Sequence, residues 1–160
     1  MSDNVTWLTQ ESFDRLTAEL EHLRGPGRAE IAARVQSTRE EGDLKENGGY
    51  HAAREALAKA DGRILQLEQL LRTAVVGAPP SVEDGIAVGT VVVANVLGDE
   101  ETFLLASREM KVDVDIDVYS DDSPIGRAVL GLKPGDTTSY HTPTGRKIDV
   151  EIVDVKPFTG

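Results

Sequence analysis

The chain contains no cysteine. That absence removes disulfides, thiolate zinc sites, iron–sulfur clusters and thiol nucleophiles together. Its three histidines, His22, His51 and His141, lie far apart in sequence, so a histidine-based metal site is not expected. With one Trp, three Tyr and three Phe there is little material for a base-stacking platform. Positive charge is also scarce: 17 Lys and Arg stand against 28 Asp and Glu, a net charge of −11. Such a chain should not coat free nucleic acid or an anionic membrane, because both need an excess of cations. No apolar run approaches the roughly 20 residues that span a bilayer. The opening Met1-Ser2-Asp3-Asn4 shows no signal-peptide pattern, so a cytoplasmic protein is expected. The phosphate-cradling G-x-x-x-x-G-K-[ST] and G-x-G-x-x-G motifs and the G-x-S-x-G nucleophile elbow are missing as well. Together these absences argue against a self-contained enzyme.

What is present divides in two. Residues 1–76 carry a net charge of −3 and read as helical, and residues 77–160 carry −8 and read mostly as strand. The run Gly77-Ala78-Pro79-Pro80-Ser81 marks the change, giving a helical domain over 1–76, a linker over 77–84 and a second domain over 85–160. In the first half, Thr9 precedes apolar residues at Phe13, Leu16, Leu20 and Leu23, the spacing of a helix face. Gly25-Pro26-Gly27 predicts a kink, after which the pattern resumes one residue out of step at Ile31, Val35 and Thr38, with Gly42 as a stop. Tyr50, Ala53, Leu57, Ala60, Ile64, Leu67, Leu71 and Ala74 then repeat at alternating spacings of three and four, a coiled-coil seam. The short polar connection predicts an antiparallel hairpin with its turn at about 41–49.

The second half reads as a small α+β domain with a mostly antiparallel sheet. Val88–Leu97 and Thr102–Ala106 form a hairpin around Gly98-Asp99, and Val112, Val114, Ile116 and Val118 alternate with aspartates as a half-buried strand. Ser123-Pro124 reads as the cap and first residue of a short helix closed by Gly131. Pro134-Gly135-Asp136 is a turn, and Ser139–His141 with Lys147–Val155 make a last hairpin.

Few residues could carry chemistry. Asp43 and Glu46 sit three apart at the hairpin turn, where both carboxylates would face one side. Such a pair can hold part of a divalent cation's shell but cannot complete it. It is equally the spacing of a capping box opening the second helix. Arg39 and Arg54 flank the turn, either as ordinary surface charges or as a small basic patch that attracts a phosphate chain. His51 reads as a half-exposed helix residue. Asp113, Asp115 and Asp117 do not make a calcium loop, since Val118 and Pro124 occupy the positions that need glycine and an acid. They read as a solvated strand face.

The stretch Arg39-Glu40-Glu41-Gly42-Asp43-Leu44-Lys45-Glu46-Asn47, with Tyr50-His51-Ala52-Ala53-Arg54-Glu55 after it, resembles the tip signature of the Gre family of bacterial transcript cleavage factors. Ser123-Pro124-Ile125-Gly126-Arg127-Ala128 with Gly131 is similar to that family's C-terminal signature, and the resemblance covers essentially the whole chain. It is closer to the GreA branch, and Asn47-Gly48-Gly49-Tyr50 is similar to the actinobacterial variant.

The resemblance implies an FKBP-like C-terminal domain that docks on the rim of the RNA polymerase secondary channel, and a coiled coil that enters it. Asp43 and Glu46 would be the catalytic tip carboxylates, sharing a Mg2+ with the polymerase active centre and holding no cofactor alone. Arg39 and Arg54 would contact the extruded RNA 3′ end. Asp122, Ser123 and Pro124 would form the docking loop. The protein would be a monomer when free and an activator of cleavage by the polymerase itself. An alternative on the same scaffold is a channel-binding inhibitor, although both tip carboxylates are intact. A prolyl isomerase or chaperone would need an aromatic pocket, and residues 77–160 offer only Phe103, Tyr119, Tyr140 and Phe158. A plain coiled-coil adaptor would give the tip no role.

Overall fold

A computed structural model describes residues 6–40, 48–79 and 81–159. They form two compact units: Phe13–Thr73, and the chain up to Ser12 together with the chain from Ala74 onward.

The first unit is a helical hairpin. Helix α1 (Gln10–His22) starts where the Thr9 hydroxyl accepts a hydrogen bond from the Ser12 amide at 3.2 Å, the local cap that the sequence announces. Leu16 and Leu20 are its buried seam residues. A π-helical turn over Leu23–Gly27 comes next, with Gly25 outside helical dihedrals (φ −106°, ψ −107°), and α2 (Arg28–Arg39) continues beyond it. A π turn holds an extra residue, which accounts for the one-residue slip of the apolar pattern across Gly25-Pro26-Gly27.

Helix α3 (Gly48–Arg72) buries Ala53, Ala60 and Leu67, every seventh residue, while Tyr50, Leu57, Ile64 and Leu71 are half-buried beside them. The alanines let α2 lie close along α3 even though α2 buries no residue fully. Cross-helix ion pairs Arg24–Glu68 (2.9 Å) and Arg28–Asp61 (2.8 Å) run in opposite sequence directions on the two sides, as antiparallel helices require. Arg63 adds two-pronged hydrogen bonding to Glu19, its shortest contact 2.8 Å. The expected stop at Gly42 and most of the expected turn lie outside the described residues.

Ala74 departs from expectation. It continues the helical period, yet it opens strand β2 (Ala74–Val76), which pairs in parallel with β1 (Thr6–Leu8), register Thr6 with Ala74. Backbone pairing with a segment distant in sequence outweighs one more weak seam residue. That pairing places both short strands in the second unit, so the spatial division falls at Thr73/Ala74, before the 77–84 linker read from composition.

The second unit is a five-stranded sheet, built from β3 (Thr90–Val96), β4 (Asp99–Leu105), β5 (Asp117–Tyr119), β6 (Thr137–His141) and β7 (Lys147–Pro157). The strand order is β5-β4-β3-β7-β6, antiparallel except for the parallel pair β4–β5. The β3–β4 hairpin turns at Leu97-Gly98, one residue before the expected Gly98-Asp99. Both turn residues have positive φ (52° and 86°), and the register pairs Val96 with Asp99. Val92, Ala94, Val96, Phe103 and Ile152 are among the inward residues of the main core, which α4 (Pro124–Val129) covers with Ile125 and Val129. Val153 is the extra residue of a bulge against Val93/Ala94, which turns Val155 back inward.

The alternating strand expected over 112–118 is corrected. Residues Arg108–Val112 form a 3-10 turn capped by the Ser107 hydroxyl, which leaves Met110 buried and Val112 75% exposed. Only Asp117–Tyr119 pairs, in parallel with Phe103–Leu105 of β4. No helix among the described residues is long and apolar enough to cross a membrane.

Candidate functional site

In the helical unit, Arg39 is the last residue of α2 and Arg54 lies on the second turn of α3, both exposed. Helix α3 begins with Gly48 and Gly49, each a poor helix former. Asp43 and Glu46 fall outside the described residues, and the capping-box reading of the pair falls there with them.

Tyr50 organises the start of α3. It is half-buried on the seam, the exposed His51 ring meets it edge-on at 5.7 Å between centroids, and the Arg54 guanidinium stands 5.9 Å from its centroid. The first two turns of α3 therefore present one cation over an aromatic ring, within cation–π range, and an imidazole beside it.

The second candidate region is the loop from β5 to α4. Ser123 caps α4, its hydroxyl accepting from the Gly126 amide at 3.1 Å and donating to the Ser120 carbonyl at 2.6 Å. The Ser123 amide bonds the same carbonyl at 3.1 Å. Pro124 occupies the first helical turn, where its missing N–H costs nothing.

Of the three expected docking residues, Asp122 and Pro124 are exposed, whereas Ser123 is buried and its hydroxyl is used inside the loop. Asp122 accepts a hydrogen bond from the Ser120 hydroxyl, which holds its carboxyl below the usual range. Burial opposes this slightly, and Arg108 and Arg127 reinforce it.

Sequence reasoning missed Ser120 and the part played by Gly126. A Cβ built at Gly126 would fall on the Ser120 carbonyl oxygen, so only glycine fits beneath the loop. A glycine inside a six-residue helix was the available signal.

The aspartate ladder does not converge. Asp113 accepts from the Ser12 hydroxyl at 2.8 Å, while Asp115 and Asp117 are exposed. Among the described residues no three metal-capable side chains form a cluster. The aromatics of the sheet unit fill space. Phe103 is fully buried with Tyr119 edge-on at 5.0 Å, Tyr140 packs on the same core, and Phe158 meets Trp7 at 6.1 Å. Burial pushes the Tyr119 and Tyr140 phenols up, and the Glu101 carboxylate adds to both shifts.

Residues 6–76 match the family profile described as transcription elongation factor, N-terminal, and residues 81–157 match that of transcription elongation factor GreA/GreB, C-terminal. The chain is 50% identical over 162 residues to transcription elongation factor GreA of Streptomyces coelicolor, covering 99% of this chain and 98% of the relative. It is 51% identical over 159 residues to GreA of Saccharopolyspora erythraea, covering 98% and 97%. Among solved structures, GreA factor homolog 1 of Thermus thermophilus is 28% identical, with 94% of this chain and 98% of that chain aligned and a TM-score of 0.42.

Proposed function

The chain belongs to the GreA/GreB family of transcription elongation factors, and from that membership we propose that it enters the secondary channel of bacterial RNA polymerase and stimulates the polymerase's own cleavage of the RNA 3′ end in backtracked complexes. The supporting observation is the pairing of the family match along the whole chain with the intact tip sequence Asp43-Leu44-Lys45-Glu46. The helical hairpin is suited to an arm, since ion pairs join residues 19–28 to 61–68 across the helices and a heptad seam of Ala53, Ala60 and Leu67 runs along α3. Arg39 and Arg54 would meet the RNA backbone near the tip. Asp122 and Pro124 would meet the polymerase rim, with Ser123 setting the loop's shape.

Asp43 and Glu46 offer hard oxygen donors of the kind Mg2+ takes, and two carboxylates fill only part of its six-coordinate shell. Polymerase and RNA groups would complete the shell. When bound, the ion supplies charge neutralisation and nucleophile activation for phosphodiester hydrolysis. The part of this chain is to hold and orient it. The intact acidic pair favours an activator over a channel-blocking inhibitor. A net charge of −11 suits delivery to RNA by a protein partner rather than by the factor's own field.

The test uses a polymerase stalled in a backtracked complex with labelled RNA, supplied with Mg2+. Wild type should speed fragment release, and Asp43→Asn/Glu46→Gln should bind without doing so. Slower cleavage and extension with wild type would establish the inhibitor instead, and absence of binding would overturn the assignment to the channel.

A further inference from the structure

Arg54 is an exposed arginine near the end of a helical arm, and such a side chain ordinarily samples many rotamers. Its guanidinium is not left free here. It lies 5.9 Å from the centroid of the Tyr50 ring, one helical turn earlier on the same face. Tyr50 is itself held. It occupies a seam position, is half-buried, and has His51 edge-on against it at 5.7 Å. The ring thus sits half-buried on the seam with the guanidinium over it.

We propose that Tyr50 is a positioning residue for RNA: its ring face holds the Arg54 guanidinium in the orientation in which the planar fork meets a phosphate of the extruded RNA strand. The proposal rests on the proposed contact between Arg54 and RNA. Two physical terms favour it. The ring quadrupole attracts the cation without consuming its N–H donors, which stay available to phosphate oxygens. Ordering the long side chain before the encounter removes a cost otherwise met on binding. Arginine suits this role better than lysine, since a flat guanidinium stacks and grips two oxygens at once.

The test measures stimulated RNA cleavage at saturating factor, polymerase affinity by competition, and thermal unfolding, for the full chain. Tyr50→Phe keeps the ring and should stay within about twofold of wild type. Tyr50→Leu keeps an apolar seam residue but no ring face. It should fold, bind polymerase with wild-type affinity, and lose roughly fivefold in cleavage. Arg54→Lys, at an exposed position, should lose about threefold. In an Arg54→Ala background Tyr50→Leu should have no added effect, because Tyr50 acts through Arg54.

The proposal is overturned if Tyr50→Leu cleaves like wild type, if Tyr50→Phe fails as badly as Tyr50→Leu, if the two losses multiply in the double variant, or if Arg54→Lys is fully active. Wild-type cleavage by Arg54→Ala would remove the RNA contact itself. Wild-type cleavage by Asp43→Asn/Glu46→Gln would remove the cleavage reading.

Discussion

Gly126 lies so close beneath Ser120 that a methyl group on its α-carbon would take the place of the Ser120 carbonyl oxygen. That oxygen already accepts from both the amide and the hydroxyl of Ser123. Gly126→Ala must therefore push the loop off α4 and strain the cap. Overpacking of this kind costs about 1–3 kcal/mol, to be read from urea unfolding. Under the proposed docking role of Asp122 and Pro124, the loss of polymerase affinity should exceed what stability alone accounts for.

Gly62 is the opposite case. It sits within α3 with nothing within 4 Å of an added Cβ and an ordinary helical backbone. Gly62→Ala should stabilise the chain by about 0.5–1 kcal/mol through helix propensity and the lost freedom of the unfolded chain. A higher midpoint of thermal unfolding monitored by helical circular dichroism checks it.

Val112 and Val118 share one parity in the sequence but not one environment: Val112 is 75% exposed and Val118 is 8% exposed. Val112→Ser should change stability by less than about 0.5 kcal/mol. Val118→Ala should cost about 1–2 kcal/mol by emptying packed volume. Equal effects in denaturant unfolding would restore the continuous strand that the structure replaces with a 3-10 turn.

Asp122 provides a pH test. Its folded carboxyl is held below the ordinary value, chiefly by the Ser120 hydroxyl. A depressed folded pKa contributes stability that is present above the unfolded value of about 3.9 and lost as pH falls through the folded one. An NMR titration should place the Asp122 carboxyl below its unfolded value, and Ser120→Ala should bring it back toward that value. The acid limb of the stability curve should flatten in that variant below about pH 4.

Much of the fold was legible because its causes are local. The spacing of Ala53, Ala60 and Leu67 is a property of one helix. The slip after Gly25-Pro26-Gly27 announced a kink, which the structure makes as a π turn, and Ser123-Pro124 announced α4 by its cap. The tip and docking signatures were legible through resemblance, which spacing alone could not have supplied.

Local periodicity could not reveal what distant partners impose. Ala74 obeys the helical repeat, yet Thr6 claims it for a strand. Asp113 alternates like a strand residue, yet it takes the Ser12 hydroxyl across 101 positions of sequence. By itself the sequence determined the long helices, the β3–β4 and β6–β7 hairpins, the cap of α4 and the acidic tip motif, since periodicity, caps and breakers act over a few residues. The tertiary structure alone decided that Ala74 leaves the helix for a strand beside Thr6 and that Asp113 takes the Ser12 hydroxyl, because each contact exists only once its partner has arrived from elsewhere in the chain.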